Sequence, residues 1–310
     1  MAPTYYSTGL NFEQAAANVA ESYTFRWPRC TTSPCAPTAT WCRACRRPLV
    51  RSTMTTIEWL FWRSTKKIDN AQRRELGPPS ATHRSQRRMA ARGALEIQAY
   101  DEVCFPGLAD EWAKWDGQRP FVGTLTMELT TDSDVDVASW IAAGTPPICF
   151  GFGSTSVESP ANTISMIANA CAQLGERALV CSGKTDFSAA PQFDHVKVVG
   201  PVNYAAVFPV CRAVVHHSGA GTMAAGMRAG VPTLSLWSLS DQKIWAGQVQ
   251  RLKVGLARQF SSTTQDSLVA DLGQILTPEY AIRARAIAAR MTKPAESVAI
   301  TANLLEKFAA

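Results

Sequence analysis

Two adjacent histidines, His216 and His217, stand between an apolar run and the glycines Gly219, Gly221 and Gly226 in the stretch VVHHSGAGTMAAGMRAGVPTL, residues 214–234. The chemistry this pattern suits is anion binding at a strand-to-helix turn. The first turn of a helix has unpaired N–H groups and the positive end of the helix dipole. Glycines there let an anion come close to the backbone. Gly219, Ala220, Gly221 and Thr222 can present N–H groups to a diphosphate, with the Thr222 hydroxyl as a further donor. In an extended strand His216 and His217 face opposite ways. One then packs against the cover of a sheet while the other turns to the ligand, where a phosphate favours its imidazolium form. Asp241 and Gln242 follow about one strand later. A carboxylate beside an amide suits a polyol, because the carboxylate accepts from hydroxyls and the amide both donates and accepts. The plain alternative is that Asp241 caps a helix over residues 242–252.

These residues need a frame that brings turns together. Over residues 146–260 apolar strand-like runs (PPICFGFGS, ALVCSG, VKVVGPVNY, RAVVHHS, PTLSLW) alternate with helix-like segments. That alternation predicts an α/β fold with a parallel sheet covered on both faces. Such sheets bind ligands at the carboxyl ends of their strands. The unusual residues fall there: Gly153 and Ser154, Ser182 and Gly183, residues 201–204, 216–222 and 237–242. Helices are expected at 265–276, 279–291 and 294–308, the last with Val298, Leu304, Leu305 and Phe308 for burial.

The first part of the chain reads differently. Residues 5–23 have a helical apolar face, and helical patterning returns at 55–74 until GPPS at 77–80 ends it. Between them, residues 26–47 are rich in Pro, Thr, Cys and Arg and lack either period, which predicts loop or disorder. The abrupt change of composition also fits a shifted reading frame. Much of the net charge of +6 comes from residues 63–92. A solvated helix followed by an exposed loop accounts for that run; a nucleic-acid or anionic-lipid patch is the alternative. Cys30, Cys35, Cys42 and Cys45 have spacings unlike a zinc knuckle. The other five cysteines sit in apolar settings as small core residues. No run of apolar residues is long enough to span a membrane, and the start lacks a secretory pattern. A cytoplasmic location is the default, with the inner face of the membrane open.

The segment HHSGAGTMAAGMRAGVPTL followed by DQKIWAGQVQRLKVG resembles the donor-site signature of family 1 glycosyltransferases of the GT-B fold. The type is the actinobacterial one acting on glycopeptides, macrolides and glycolipids. VASWIAAGTPPICFGFGS and FDHVKVVGPVNYAAVFPVCRAVVHHSGAGT extend the resemblance over residues 95–308. It implies a Rossmann-like donor domain at 95–294 and a C-terminal helix at 295–310. It further implies inverting transfer of a hexose from a UDP- or dTDP-linked sugar to a lipid or natural-product acceptor. His217, Ser218 and the 219–222 amides would hold the diphosphate, and Ser154 and Ser182 would approach it. Val202 and Tyr204 would border the base, and Asp241 and Gln242 would hold the sugar. The nucleotide-sugar is substrate, so no cofactor is implied, nor a metal, nor a nucleic-acid partner; peripheral membrane contact stays open. Ser218 stands where glycine is usual, Met223 where threonine is common and Lys243 where proline often follows.

Residues 1–94 are too few for the family's acceptor domain, and its glycine-rich opening strand is absent. The resemblance therefore implies a remnant of that domain, with no residue assignable as general base; His83 lies in a basic run. A non-catalytic nucleotide-sugar-binding remnant is the competing reading. A dinucleotide-dependent oxidoreductase is the other, but Gly219, Gly221 and Gly226 have the wrong spacing for it.

Overall fold

The computed structural model describes residues 10–23, 28–32, 47–115, 117–153, 155 and 157–309. In chain order the elements are α1 (Leu10–Ser22), β1 (Arg29–Thr31), α2 (Arg47–Leu76), α3 (Ser85–Ala91), β2 (Glu96–Gln98), α4 (Leu108–Trp112), α5 (Asp134–Ala142), β3 (Ile148–Gly151), α6 (Pro160–Leu174), β4 (Ala178–Cys181), β5 (Val196–Val199), α7 (Tyr204–Val207), β6 (Ala213–His216), α8 (Ala220–Ala229), β7 (Thr233–Trp237), α9 (Ser240–Leu252), β8 (Gly255–Gln259), α10 (Gln265–Ile275), α11 (Pro278–Ala288) and α12 (Pro294–Ala309). They fall into two compact units, Met1–Leu125 with Thr292–Ala310, and Thr126–Met291.

The second unit is built on a six-stranded sheet of order β5-β4-β3-β6-β7-β8. Every pairing in it is parallel. Alternate side chains of the central strands β3, β4 and β6 enter opposite cores, so these strands read as near-unbroken apolar runs. On one face Ile148, Phe150, Val180, Val215 and Leu234 meet Ile164 and Ile167 of α6 and Leu268 and Leu272 of α10. On the other, Cys149, Leu179, Cys181 and Val214 meet Val137 and Ile141 of α5 and Phe208. Cys149, Cys181 and Cys211 are indeed buried thiols.

The first unit departs from the sequence expectations in informative ways. Part of the stretch expected to be irregular is a strand: β1 pairs with β2 in parallel, Cys30 opposite Ile97. Three residues are too few to show a period. The remaining cysteines of that stretch, Cys35, Cys42 and Cys45, lie outside the described residues. Leu95, Ile97, Ala99 and Val122 form a core with Ile300, Leu304, Leu305 and Phe308 of α12. Val298, expected inside, is exposed, and Ile300 occupies the core side instead. Residues 95–125, expected with the donor region, thus cluster with β1 and α12.

The basic run of residues 63–92 is a solvated helix and loop only in part: Arg63, Lys67, Arg74, Arg87 and Arg92 are exposed, but others turn inward. α3 forms within it and buries Ser85 and Met89. Arg73 is buried, and with Arg88 it converges on a polar knot between α1, α2 and α3. Arg73 and Arg88 each reach Glu21 at 2.8 Å. Arg88 also meets Asp69 at 3.1 Å. Buried Asn18 donates to Asp69 at 2.7 Å and accepts from both arginines. Burial pushes the Glu21 carboxyl up, but the two guanidinium groups together outweigh it and hold the group below its ordinary value. The charge excess therefore hides a set of internal partners, which buried charge requires.

Candidate functional site

The strand order reverses between β3 and β6: the chain leaves β3 for β4 on one side and β6 for β7 on the other. Loops from the carboxyl ends of these two strands diverge and leave a crevice. Residues 151–153 and 216–219 meet there.

His216 is 1% exposed and belongs to the core side. Its Nδ1 accepts the Ser218 N–H at 3.0 Å, which fixes the proton on Nε2. Burial, helped by neighbouring His217, pushes its pKa down to about 3, so the ring is neutral. His217 turns the other way, as the strand period requires. Its ring is wedged between two glycines. A side chain on Gly153 would overlap the ring, and one on Gly219 would come within 2.5 Å of Nε2. Gly153 also has a φ of 56°, which disfavours any other residue. His217 is buried, and among the described residues its Nδ1 has no hydrogen-bonded partner. Burial lowers its pKa; the nearby Gly151 main chain and the Asp241 carboxylate oppose that without reversing it.

Ser218 takes a left-handed conformation, φ 66°, where glycine would be unstrained. It is fully buried and its hydroxyl is hydrogen-bonded to that of Ser235 on β7. Gly219 is the residue before α8, with φ −63° and ψ 139°, and as a glycine it offers no side chain to cap the helix. The first intrahelical bond of the turn runs from Met223 N–H to Gly219 C=O at 2.9 Å. Ala220, Gly221 and Thr222 precede it, and all three are at least partly exposed. Their N–H groups have no acceptor inside the helix. Met223, at the position noted in the sequence, is buried beneath the turn.

Across the crevice, Ser182 is partly exposed and is held by its main chain: its N–H donates to Val199 at 2.9 Å and its carbonyl accepts from Thr185 at 2.9 Å. Ser154 lies outside the described residues. Val202 and Tyr204 are partly buried against the second core. The Tyr204 ring stacks on Phe208 at 4.4 Å between centroids, and burial pushes its phenol up. The loop carrying them is pinned by Asn203, whose N–H donates to Asp134 at 2.9 Å. Asn203 lay within the stretch 201–204 that the sequence marked, though not for this role; nothing in the sequence singled out Ser235 or Gly151.

At the end of β7 the two polar residues divide their duties differently from the expectation. α9 begins at Ser240, and it is Gln242, buried, whose Oε1 accepts from the N–H groups of Ser238 at 2.8 Å and Leu239 at 3.0 Å. Its carbonyl is thus used in capping, and the amide NH2 is what it has left for a ligand. Asp241 does not cap. It is exposed, with no hydrogen bond or ion pair among the described residues, and its charge is felt at His217. Lys243 extends over Trp237, its Nζ 5.2 Å from the ring centroid. Among the described residues, no group of three or more His, Cys, Asp or Glu is placed to hold a metal ion. No helix among them is long and apolar enough to cross a membrane.

Residues 175–304 match the family described as the C-terminal domain of erythromycin biosynthesis protein CIII-like proteins. An uncharacterized glycosyltransferase of Mycobacterium tuberculosis is 59% identical over 304 residues, 97% of this chain and 73% of the relative. Most of residues 1–94 therefore has a counterpart in that relative. The vancomycin aglycone glucosyltransferase of Amycolatopsis orientalis is 36% identical over 170 residues, 55% of this chain and 41% of that enzyme. Among solved structures, the glycotransferase of kitacinnamycin superposes with a TM-score of 0.70 at 16% identity, covering 95% of this chain and 74% of that one. The glycosyltransferase VinC, solved with dTDP, gives 0.60 at 16% identity, with 95% and 70% covered. By its identity to the mycobacterial relative over most of both chains, this chain belongs to the glycosyltransferases, of family 1 and the GT-B fold in its actinobacterial type.

Proposed function

We propose that the crevice between β3 and β6 takes the diphosphate of a UDP- or dTDP-linked hexose, and that the chain transfers the hexose with inversion to a lipid or natural-product hydroxyl. The observation that carries this reading is the uncapped, exposed first turn of α8, set beside the His217 ring at the point where the strand order reverses. The amides of Ala220, Gly221 and Thr222, with the Thr222 hydroxyl, receive the phosphates. Ser182 approaches from the loop after β4. Val202 and Tyr204 border the base. Exposed Asp241 accepts from sugar hydroxyls, and the Gln242 NH2 donates to them.

In the transfer the acceptor oxygen forms a bond to the anomeric carbon as the bond from that carbon to the phosphate oxygen breaks. The electron pair stays on the departing nucleoside diphosphate, and the acceptor proton passes to a base. The helix dipole and a protonated His217 stabilise the departing charge, in the role a metal ion has elsewhere. VinC, a structural neighbour, was solved with dTDP, which supports a nucleotide of this class.

A thermal-shift series tests the assignment. UDP or dTDP should raise the melting temperature of the purified chain, NAD should not, and His217→Gln should remove most of the shift. Stabilisation by NAD alone would overturn the reading. Stabilisation by UDP or dTDP without sugar transfer would move the chain to the non-catalytic, nucleotide-sugar-binding alternative.

A further inference from the structure

The first unit holds a cavity of about 840 Å³ that has no part in the donor site. It lies between α2, α3, the β1–β2 pair and the segment following α4. That size is in the range of cavities that take organic ligands. Its lining combines three tryptophans, Trp59, Trp62 and Trp115, with a surplus of positive charge. Five lining side chains are arginine or lysine and two are glutamate.

The two ends of the lining differ. At the buried end, Glu96 is already shared by Arg29 and Arg119, each at 3.3 Å. The Arg119 guanidinium lies 4.9 Å from the Trp112 ring centroid and 4.0 Å from that of Trp115. At the open end, Arg87 and Lys114 are exposed and have no carboxylate partner among the described residues. Lys114 sits 4.0 Å over the Trp115 ring. Trp59 is 48% exposed, with the Arg63 guanidinium 5.3 Å from its ring centroid, so its aromatic surface is open to solvent in part and already beside a cation. An arrangement of exposed indole and cations without carboxylate partners recognises a flat apolar body that carries a negative charge. A neutral ligand would leave both cations unmatched; an inorganic anion would leave the indoles unused.

We infer that this cavity is a binding site for an organic anion with an aromatic body, its acid group held by Arg87 and Lys114 and its ring laid on Trp59. The probe pair is 2-naphthoate and its uncharged analogue 2-naphthamide, titrated calorimetrically into the full chain at low salt. Naphthoate should bind saturably and about tenfold more tightly than the amide, as two exposed charge pairs allow. Arg87→Gln with Lys114→Gln should erase the preference while leaving the circular dichroism spectrum unchanged, since both side chains are exposed. Trp59→Ala should weaken both probes. Equal affinity for acid and amide, a preference that survives the double substitution, or no saturable binding would each overturn the inference. The nucleotide shift described above is read separately in the same variants, so failure here leaves the donor site standing.

Discussion

Nδ1 of His216 accepts the main-chain N–H of Ser218, two residues on, at 3.0 Å. This bond ties the last residue of β6 to the one strained residue of the turn, and it leaves His217 between them free to face the crevice. The first histidine shapes the turn; the second is available for chemistry.

The protonation of His217 should couple to donor binding. Burial holds its pKa below the ordinary value in the free protein, so near neutral pH the ring is uncharged. A bound diphosphate raises that pKa, and binding then takes up a proton. Affinity for UDP or dTDP should strengthen as pH falls through the raised, bound-state pKa. It should level off below the lowered, free-state value, with a slope of at most about tenfold per pH unit. Titration calorimetry in buffers of different ionisation enthalpy reads the proton uptake directly. His217→Gln should bind with a flat pH profile; an unchanged slope in that variant would remove His217 from the phosphate.

Ser218 and Ser235 should show strong energetic coupling. Glycine at 218 relieves a left-handed conformation costing about 1 kcal/mol. It also leaves the buried Ser235 hydroxyl without its partner, at a cost of about 1–3 kcal/mol. Ser218→Gly alone should therefore be neutral to destabilising. Ser218→Gly with Ser235→Ala should be more stable than Ser218→Gly alone. Denaturant unfolding of the two single variants and the double one measures this. A stabilising Ser218→Gly single substitution would contradict it.

Asp241 and Gln242, neighbours in sequence, should separate cleanly. Gln242→Ala removes the acceptor for two main-chain N–H groups and should cost about 1–2 kcal/mol of stability. Asp241→Ala removes an exposed carboxylate with no partner among the described residues and should leave the melting temperature within about a degree or two. On the proposed reading it lowers kcat/KM for the sugar donor by about ten- to a hundredfold, with affinity for the free nucleoside diphosphate retained. Loss of stability in the Asp241 variant would return that residue to a structural role.

The knot around Glu21 should make the first unit acid-sensitive. The Glu21 pKa is held below its ordinary value of 4.5 in the folded chain. Its contribution is therefore complete above that value and is lost as pH falls from 4.5 toward the folded pKa. Hydrogen exchange should show α1 and α3 opening over that interval before the strands of the six-stranded sheet. Asn18→Leu should cause the same opening at neutral pH, because Asp69, Arg73 and Arg88 lose a shared partner. Uniform exchange across both units would argue against a local effect.

The six-stranded unit was readable in advance because its signals are local. Strand-helix alternation, paired histidines facing opposite ways and glycines opening α8 each follow from the backbone within a few residues. What could not be read depends on partners distant in sequence. Arg73 and Arg88 look like surface charge until Asn18 and Glu21 are beside them. The positive φ of Ser218 is invisible without Ser235. Asp241 and Gln242 are both able to cap a helix, and only the start of α9 at Ser240 decides which does. β1 was missed because its three residues carry no period and sit in a stretch of Pro, Thr and Cys.

The sheet order carries a consequence for how such a molecule diversifies. Loops left of the reversal come from residues 152–204, and those right of it from residues 217–242, with no strand shared between the two sets. On the proposed assignment the left set meets the nucleoside and the right set meets the diphosphate and the sugar. The two recognitions are then separable modules, and a chimera that exchanges only the right-hand loops inherits a new sugar while keeping its nucleotide.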